Sequence, residues 1–291
     1  MTFRNPQYLV QPGDLQAQLG ASDLRILDCT VFLRPPAEGG RGYVVESGRE
    51  RWAASHIPGS VFADLPGDLS DRETRLRFML PPAAQFAEAM SRYGVGEGTR
   101  VVLYDQNMNM WAARVWWNLR CFGFDNAAVL DGGWRRWRKE GRPETNALAS
   151  YPRGRFVPSP RRGRMATKED VLAAIATGAT CIVNALGADQ YEGRAAAYGR
   201  PGHIPTSTNV PAMAIIDPET HAYLPAERLH EMFAASGALT ADRVITYCGG
   251  GIAASSDAFV LALLGQENVA VYDASMSEWA ADPDLPLEVG G

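Results

Sequence analysis

The sequence predicts an α/β protein with two tandem domains, each containing a mostly parallel sheet flanked by helices. Short apolar runs typical of buried parallel strands alternate with segments whose apolar residues recur every three or four positions. The same series of motifs also occurs twice along the chain. A length of 291 residues with 46% hydrophobic residues is sufficient for two cores of ordinary size.

Four apolar runs predict central strands of the two sheets. They lie at residues 24–29, 101–104, 181–185 and 244–247. Such short runs, apolar at nearly every position, suit strands that are covered by helices on both faces. We predict helices at residues 82–90 and 225–233, because each segment opens with a proline and spaces its apolar residues at three and four positions.

Matching motifs in the two halves identify the repeat. The corresponding segments are 55–60 and 202–207, 100–105 and 243–248, and 128–134 and 270–276. A period of this length indicates two copies of one domain, because it is too long for a solenoid repeat. We predict domains at residues 1–145 and 166–291, joined by a proline- and arginine-rich linker at residues 146–165.

Cys248 is the candidate nucleophile. It ends a predicted strand and is followed by three glycines and a predicted helix, so backbone N–H groups can curl toward its sulfur. These groups and the positive end of the helix favour the thiolate and lower its pKa. Ligands of open parallel sheets also gather at the carboxyl ends of strands. The alternative is a buried structural cysteine. Asp105 occupies the matching position in the first half, which we therefore expect to be catalytically silent.

These residues resemble the tandem-domain rhodanese family of thiosulfate and 3-mercaptopyruvate sulfurtransferases. The resemblance rests on motifs spread over nearly the whole chain. They are His56-Ile57-Pro58, Leu130-Asp131-Gly132-Gly133-Trp134, His203-Ile204-Pro205, Tyr272-Asp273, Glu278-Trp279 and the six-residue loop Cys248-Gly249-Gly250-Gly251-Ile252-Ala253. The resemblance implies two rhodanese-like domains and a persulfide carried on Cys248.

In that chemistry, the N–H groups of the loop hold the terminal sulfur of the persulfide. The loop residues concerned are Gly249, Gly250, Gly251, Ile252 and Ala253. Sulfur passes from a small-molecule donor, thiosulfate or 3-mercaptopyruvate, to cyanide or a thiol by double displacement. We expect no metal or organic cofactor, and we include a protein thiol among the candidate acceptors.

The loop departs from the family pattern in ways that bear on the donor. Neutral Gly249 and Gly250 favour the mercaptopyruvate type, since the thiosulfate type usually carries basic residues there. Yet Gly250 replaces a serine, Ala253 replaces a threonine, and Phe78 stands where that type commonly has histidine. Of the associated proton-handling trio, the acidic residue is present as Asp64.

The family's donor-binding arginines are also replaced, by Leu186 and Gln190. We predict that Arg194 and Arg200, just downstream in a glycine-rich segment, bind the donor instead. Loss of the usual arginines leaves a second function open, a non-turnover sulfane-sulfur carrier or interaction module. A phosphatase is disfavoured, because the arginine that would grip the phosphate oxygens is replaced by Ala254.

Charge and composition argue against other partners. The net charge of −5 and the few aromatics among the linker arginines argue against nucleic-acid binding. The first residues lack the apolar core of a signal peptide, and no apolar run approaches the roughly 18 residues of a membrane helix. We therefore expect a cytoplasmic location and no membrane partner.

The remaining cysteines and the histidines show no pattern of a metal site. The four cysteines lack the spacing of a zinc site or a disulfide framework. His56 and His203 occupy matched turns and are expected to be structural, while His221 and His230 have no nearby ligand pattern. We therefore assign no base to Cys248 and predict that the loop amides and the helix stabilise its thiolate.

Overall fold

Two five-stranded parallel sheets form the framework of the molecule, one in each half of the chain. The computed structural model describes residues 1–36 and 42–290. The first half contains, in chain order, a 3-10 helix (Pro6–Tyr8), β1 (Leu9–Val10), α1 (Pro12–Ala17), β2 (Leu24–Asp28), β3 (Val31–Arg34), β4 (Val44–Ser47), α2 (Arg49–Ala54), β5 (Ser60–Phe62), α3 (Ala83–Arg92), β6 (Arg100–Tyr104), α4 (Met110–Cys121), β7 (Ala127–Leu130) and α5 (Gly133–Lys139). The second half contains β8 (Met165–Ala166), α6 (Lys168–Thr177), β9 (Cys181–Asn184), α7 (Ala188–Tyr191), β10 (Thr208–Asn209), α8 (Ala226–Ala235), β11 (Val244–Tyr247), α9 (Ile252–Leu264), β12 (Val269–Tyr272) and α10 (Ser275–Trp279).

The two sheets have the same strand order. The first runs β1-β7-β6-β2-β5 and the second runs β8-β12-β11-β9-β10, with every neighbouring pair parallel. In the central pairs, Ile26 lies opposite Val102 and Ile182 lies opposite Ile245. This equivalence confirms the predicted pair of α/β domains. An antiparallel ribbon of β3 and β4 is added to the first domain, and the sequence does not predict it.

Helices α3 and α8 begin directly after Pro82 and Pro225, which are their N-caps. Proline is tolerated there because the first N–H groups of a helix have no intrahelical acceptor. Leu229 and Phe233, four residues apart, are fully buried on one face of α8. The proline and the apolar spacing therefore explain both the start and the orientation of this helix.

Helices α4 and α9 pack against each other and join the two domains. Both are buried on nearly all sides, as expected for helices that lie between a sheet and another helix. Trp116 of α4 meets Phe259 of α9 edge to face, with ring centroids 4.9 Å apart. One of the hydrophobic clusters therefore contains residues of both domains. Truncating a buried aromatic such as Phe259 to alanine would cost about 3–5 kcal/mol.

The predicted linker, residues 146–165, runs mainly along the first domain, and its last residue opens β8. Backbone N–H groups of Gly154 and Ser159 donate to the carbonyls of Ser91 and Phe122, at 2.8 Å in both cases. The linker arginines pair with acidic side chains of both domains. The pairs are Arg153 with Glu88, Arg161 with Asp125 and Arg164 with Glu267. These arginines therefore hold the connection in place. None of the helices in the described part of the chain is long and apolar enough to span a lipid bilayer.

Candidate active site

Cys248 lies at the carboxyl end of β11, the central strand of the second sheet, and is 2% exposed. Three glycines connect it to α9. Gly251, the N-cap of α9, has a φ of 76°, a conformation that favours glycine. A Cβ at this position would also lie 2.6 Å from Asp273 Oδ1. The strand, cysteine, glycine loop and helix are thus arranged in the order that the sequence predicts.

The turn before α10 holds the loop from one side. The N–H of Cys248 donates to Ser275 Oγ at 3.0 Å, and its carbonyl accepts from the N–H of Met276 at 3.0 Å. The carbonyl of Gly249 accepts from the N–H of Ser277 at 2.9 Å and from its hydroxyl at 2.6 Å. Because C=O and N–H point in opposite directions across a trans peptide, the N–H groups of Gly249 and Gly250 face away from this turn.

The loop amides are available to a ligand. Among the described residues, the N–H groups of residues 249–253 have no hydrogen-bond acceptor. They lie at the start of α9, where unpaired N–H groups carry the positive end of the helix dipole. This arrangement can bind an anion formed on or next to the Cys248 sulfur.

The first domain contains a corresponding loop, one residue longer before its helix, with a carboxyl group at the position of the cysteine. Asp105, which matches Cys248, accepts backbone N–H groups from Asn107 and Asn109 on one oxygen and from Trp111 and Ala112 on the other. These four contacts are 2.6 to 3.1 Å long. Burial raises the pKa of Asp105 to about 7, and the hydrogen bonds from the loop oppose that rise. The strand–loop–helix unit therefore positions four amides around the group at the end of its central strand.

A cleft of about 500 Å³ lies between the domains beside the cysteine loop. The first domain contributes Tyr43, Arg75, Leu76 and Arg77, and the second contributes Gln190, Ala197, Tyr198 and Ser277. A Cβ at Gly250 would lie 3.9 Å from the carbonyl oxygen of Arg77. A substrate in the cleft would therefore contact groups of both domains next to the loop.

Two tyrosines flank this part of the cleft. A Cβ at Gly249 would collide with the phenol of Tyr198, so Tyr198 occupies the space of a side chain at position 249. Burial raises the pKa of Tyr198, and the nearby Cys248 and Tyr43 raise it further. Burial also raises the pKa of Tyr43, against the lowering effect of the Arg77 guanidinium. Both phenols therefore keep their protons near neutral pH.

A buried ion pair connects the first domain to the turn behind the loop. Arg114 of α4 is fully buried, and its Nη2 lies 2.5 Å from Asp273 Oδ1 of the second domain. The same guanidinium donates to the carbonyl of Phe78 at 2.7 Å, and Asp273 Oδ2 accepts the N–H of Leu80 at 2.6 Å. Arg114 and Asp273 thereby fasten residues 78–80, which directly follow the cleft arginines, to the second domain.

The two arginines predicted to bind the donor are engaged elsewhere. Arg194 forms ion pairs with Asp189 and Glu192. Arg200 donates to the carbonyls of Asp282 and Leu285, at 2.6 and 2.9 Å. The cleft instead receives Arg75 and Arg77. Sequence reasoning missed this pair because its segment has neither helical nor strand periodicity, although the departure at neighbouring Phe78 marked the region.

Phe78 and Asp64 are built into the first domain. Phe78 is buried with a φ of 64°, and its ring packs edge to face on Trp111 at 5.2 Å. Asp64 accepts the N–H of Gly67 at 3.2 Å within a turn. Among the described residues, no group of three histidine, cysteine, aspartate or glutamate side chains is placed to hold a metal ion. The groups that the structure brings together at this site are a thiol, the N–H groups of the loop, two tyrosines and two arginines.

Comparisons with known proteins agree with this fold. The family model of the rhodanese-like domain matches residues 11–140 and 167–282. A probable 3-mercaptopyruvate sulfurtransferase of Pseudomonas aeruginosa is 31% identical over 288 residues, which are 97% of this chain and 98% of that protein. Thiosulfate/3-mercaptopyruvate sulfurtransferase 2 of Arabidopsis thaliana is 33% identical, over 94% of this chain and 84% of its own.

A solved structure extends the similarity to three dimensions. The crystal structure of SseA from Escherichia coli, described as a 3-mercaptopyruvate sulfotransferase, superposes with a TM-score of 0.79 at 28% identity. The match covers 92% of this chain and 98% of that one. Two matched domains, the shared fold and sulfurtransferase relatives along nearly the whole chain lead to one conclusion: this chain is a sulfurtransferase that belongs to the rhodanese family.

Proposed function

We propose that this enzyme moves a sulfane sulfur from an anionic donor, thiosulfate or 3-mercaptopyruvate, to a thiol or cyanide through a persulfide on Cys248. The observation that carries the proposal is the pair of matched loops. In the first domain, four N–H groups surround the carboxyl group of Asp105. In the second, the loop that follows Cys248 has N–H groups with no acceptor among the described residues. The relatives with these donors in their names support the choice of donor.

The reaction is a double displacement. With thiosulfate, the thiolate of Cys248 attacks the outer sulfur, a new S–S bond forms, and sulfite leaves with the electron pair of the broken bond. A thiolate or cyanide then attacks the terminal sulfur and releases Cys248 as a thiolate. In each step negative charge lies next to the loop of Gly249, Gly250, Gly251, Ile252 and Ala253, whose N–H groups stabilise it.

Arg75 and Arg77 supply the positive charge for the donor. Both line the cleft, both are exposed, and neither forms an ion pair with an acidic residue in the described part of the chain. Arg77 donates to the carbonyl of Tyr43 at 2.8 Å, which holds its head group at the cleft mouth. Donor binding by Arg194 and Arg200 stays a prediction. Both already have partners within the second domain, which favours Arg75 and Arg77 for this role.

Replacing Cys248 by serine tests the proposal. We expect the wild-type protein to gain the mass of one sulfur atom after incubation with a donor and to lose it on adding cyanide. The C248S variant should neither gain this mass nor turn over, because a hydroxyl forms no persulfide. Intact-protein mass spectrometry and a thiocyanate assay measure both.

Cys181→Ser is the matched control, since Cys181 is half-buried and its sulfur lies near the carbonyl of Ser236, away from the cleft. This variant should load and discharge sulfur like the wild type. Sulfur transfer by C248S at the wild-type rate would contradict the proposal.

A sulfane-sulfur carrier without turnover is the second candidate, favoured by Leu186 and Gln190 at the positions of the usual donor-binding arginines. A carrier would hold sulfur on Cys248 and release it only to a partner protein. Loading by thiosulfate or 3-mercaptopyruvate without release to cyanide or small thiols identifies this case. Cell fractionation tests the cytoplasmic location, which stays a prediction.

A further inference from the structure

Tyr198 is a polar group that the proposed steps leave without a role. Its phenol lies directly against Gly249, in the interdomain cleft, and is half-buried. Among the described residues, the hydroxyl of Tyr198 has no hydrogen-bond partner. The same is true of Tyr223, which does not line the cleft, whereas the hydroxyls of Tyr191, Tyr247 and Tyr272 are hydrogen-bonded. The O–H of Tyr198 therefore lies next to the cysteine and can donate a hydrogen bond to a substrate.

The two donors differ in what their leaving groups need. When Cys248 takes the sulfur of 3-mercaptopyruvate, the C–S bond breaks and its electron pair passes into an enolate, a strong base that must be protonated. When it takes the outer sulfur of thiosulfate, the leaving group is sulfite, a weak base that can leave unprotonated. General acid catalysis therefore matters for the first donor and little for the second.

The other polar side chains around the loop are already committed. Ser277 donates its hydroxyl proton to the carbonyl of Gly249, and Ser275 donates its own to the carbonyl of Tyr272. Asp273 is held by Arg114 and by the N–H of Leu80. Position 78 is a phenylalanine packed on Trp111 and position 250 is a glycine. The phenols of Tyr43 and Tyr198 remain, and of these two Tyr198 is the one that lies directly against the loop, at Gly249.

We propose that Tyr198 is a catalytic residue that protonates the departing enolate when 3-mercaptopyruvate is the donor. The Cys248 thiolate forms an S–S bond to the donor sulfur as the C–S bond breaks. The phenol proton passes to the enolate oxygen and gives enolpyruvate, which becomes pyruvate. The proton that the donor thiol brought, now on the terminal sulfur of the persulfide, returns to the phenolate. Atoms and charge balance without a further reactant, and the inference rests on the function proposed above.

Tyr198→Phe tests the inference, since it keeps the ring against Gly249 and removes the hydroxyl. We expect the rate of persulfide formation from 3-mercaptopyruvate, measured in a single turnover by mass spectrometry, to fall about 100-fold, the usual range for a lost general acid. Persulfide formation from thiosulfate and discharge by cyanide should stay within about threefold of the wild type, because no enolate leaves in either step and no leaving group has to be protonated.

Tyr191→Phe is the matched control, because its hydroxyl donates to the carbonyl of Ser207 and not to the cleft. It should leave both half-reactions unchanged. An unchanged rate with 3-mercaptopyruvate in Y198F, an equal loss in persulfide formation and cyanide discharge, or a wild type that does not accept 3-mercaptopyruvate would overturn the role of Tyr198. A different result would contradict the proposed function: wild-type Cys248 forms no persulfide with any donor.

Discussion

The cationic residues of the cleft come from the first domain, although Cys248, the proposed nucleophile, belongs to the second. Arg75 and Arg77 lie in a segment without helix or strand, and Arg77 is held by the carbonyl of Tyr43 and lies over its ring, 4.9 Å from the centroid. The family positions now occupied by Leu186 and Gln190 carry no charge. Within the cleft, positive charge therefore comes from the wall formed by the first domain, where it can attract an anionic donor.

Neutralising either cleft arginine should weaken donor binding. For R75Q and R77Q we expect the KM for thiosulfate to rise about tenfold, since a hydrogen bond to a charged group contributes about 1.5–3 kcal/mol when buried and less at an exposed site. The rate with a neutral dialkyl trisulfide as sulfur donor should not change. Steady-state kinetics with both donors measure the difference.

Arg155→Gln is the control for this pair, because Arg155 is an exposed arginine of the linker and lines a different cavity. It removes the same charge from the molecule and should leave both donors unaffected. If KM rises in R155Q as much as in R77Q, the effect is one of net charge and not of the cleft.

At the scale of elements, the unit of strand, loop and helix occurs twice, with Asp105 after the strand in the first copy and Cys248 in the second. Asn109, the N-cap of α4, and Gly251, the N-cap of α9, both have the left-handed backbone conformation. In the first copy the carboxyl group of Asp105 accepts hydrogen bonds from the loop amides, and in the second Cys248 stands at the matching position. The first domain therefore holds a carboxyl group among its loop amides, and the effect of this group on stability can be measured.

Asp105 should make the stability of the protein depend on pH. Its pKa is about 7 in the folded protein against an ordinary value of 3.8, so the folded state holds the proton over the range in which the unfolded chain loses it. The stabilisation that results is fully present below about pH 4 and is lost as pH rises through about 7. Denaturant unfolding at several pH values, compared with D105N, measures this contribution.

We expect the unfolding free energy of the wild type to fall relative to that of D105N as pH rises from 4 to 7. Above that range the difference between the two should stay constant. Asparagine does not titrate, so its variant lacks this term. A constant difference across the range would show that Asp105 is ionised in the folded state at all these pH values.

At the scale of the whole molecule, the active site depends on how the two domains are fastened together. The α4–α9 contact supplies apolar area, while the Arg114–Asp273 pair connects residues 78–80 to the turn that holds the cysteine loop. Breaking a buried ion pair is costly because the remaining charge has no partner. The pair therefore sets the position of the cleft wall as well as the stability of the interface.

Removing one member of this pair should cost more than removing both. We expect R114M to lose about 3–5 kcal/mol of unfolding free energy. R114M/D273N should recover part of the loss, because an uncharged asparagine still accepts the N–H of Leu80. Denaturant unfolding of the single and double variants gives the coupling energy. If the losses in the two single variants simply add in the double variant, Arg114 and Asp273 are not coupled, and the role given to this ion pair is wrong.

The sequence by itself determined the features that depend on local pattern. Apolar runs separated by helical spacing indicate parallel strands with crossover helices, and the repeated motifs align Asp105 with Cys248. These features are readable because a strand, a glycine loop and a helix start are each specified by adjacent residues. The two α/β domains and the family assignment follow from them.

Only the tertiary structure decided what surrounds the sulfur. Arg194 belongs to the same domain as Cys248 but is paired with Asp189 and Glu192, while Arg77 and Tyr43 come from the other domain. Which charges remain available depends on the partners that packing brings to each one. That information is absent from periodicity or spacing, because a cleft between domains is built from segments distant along the chain.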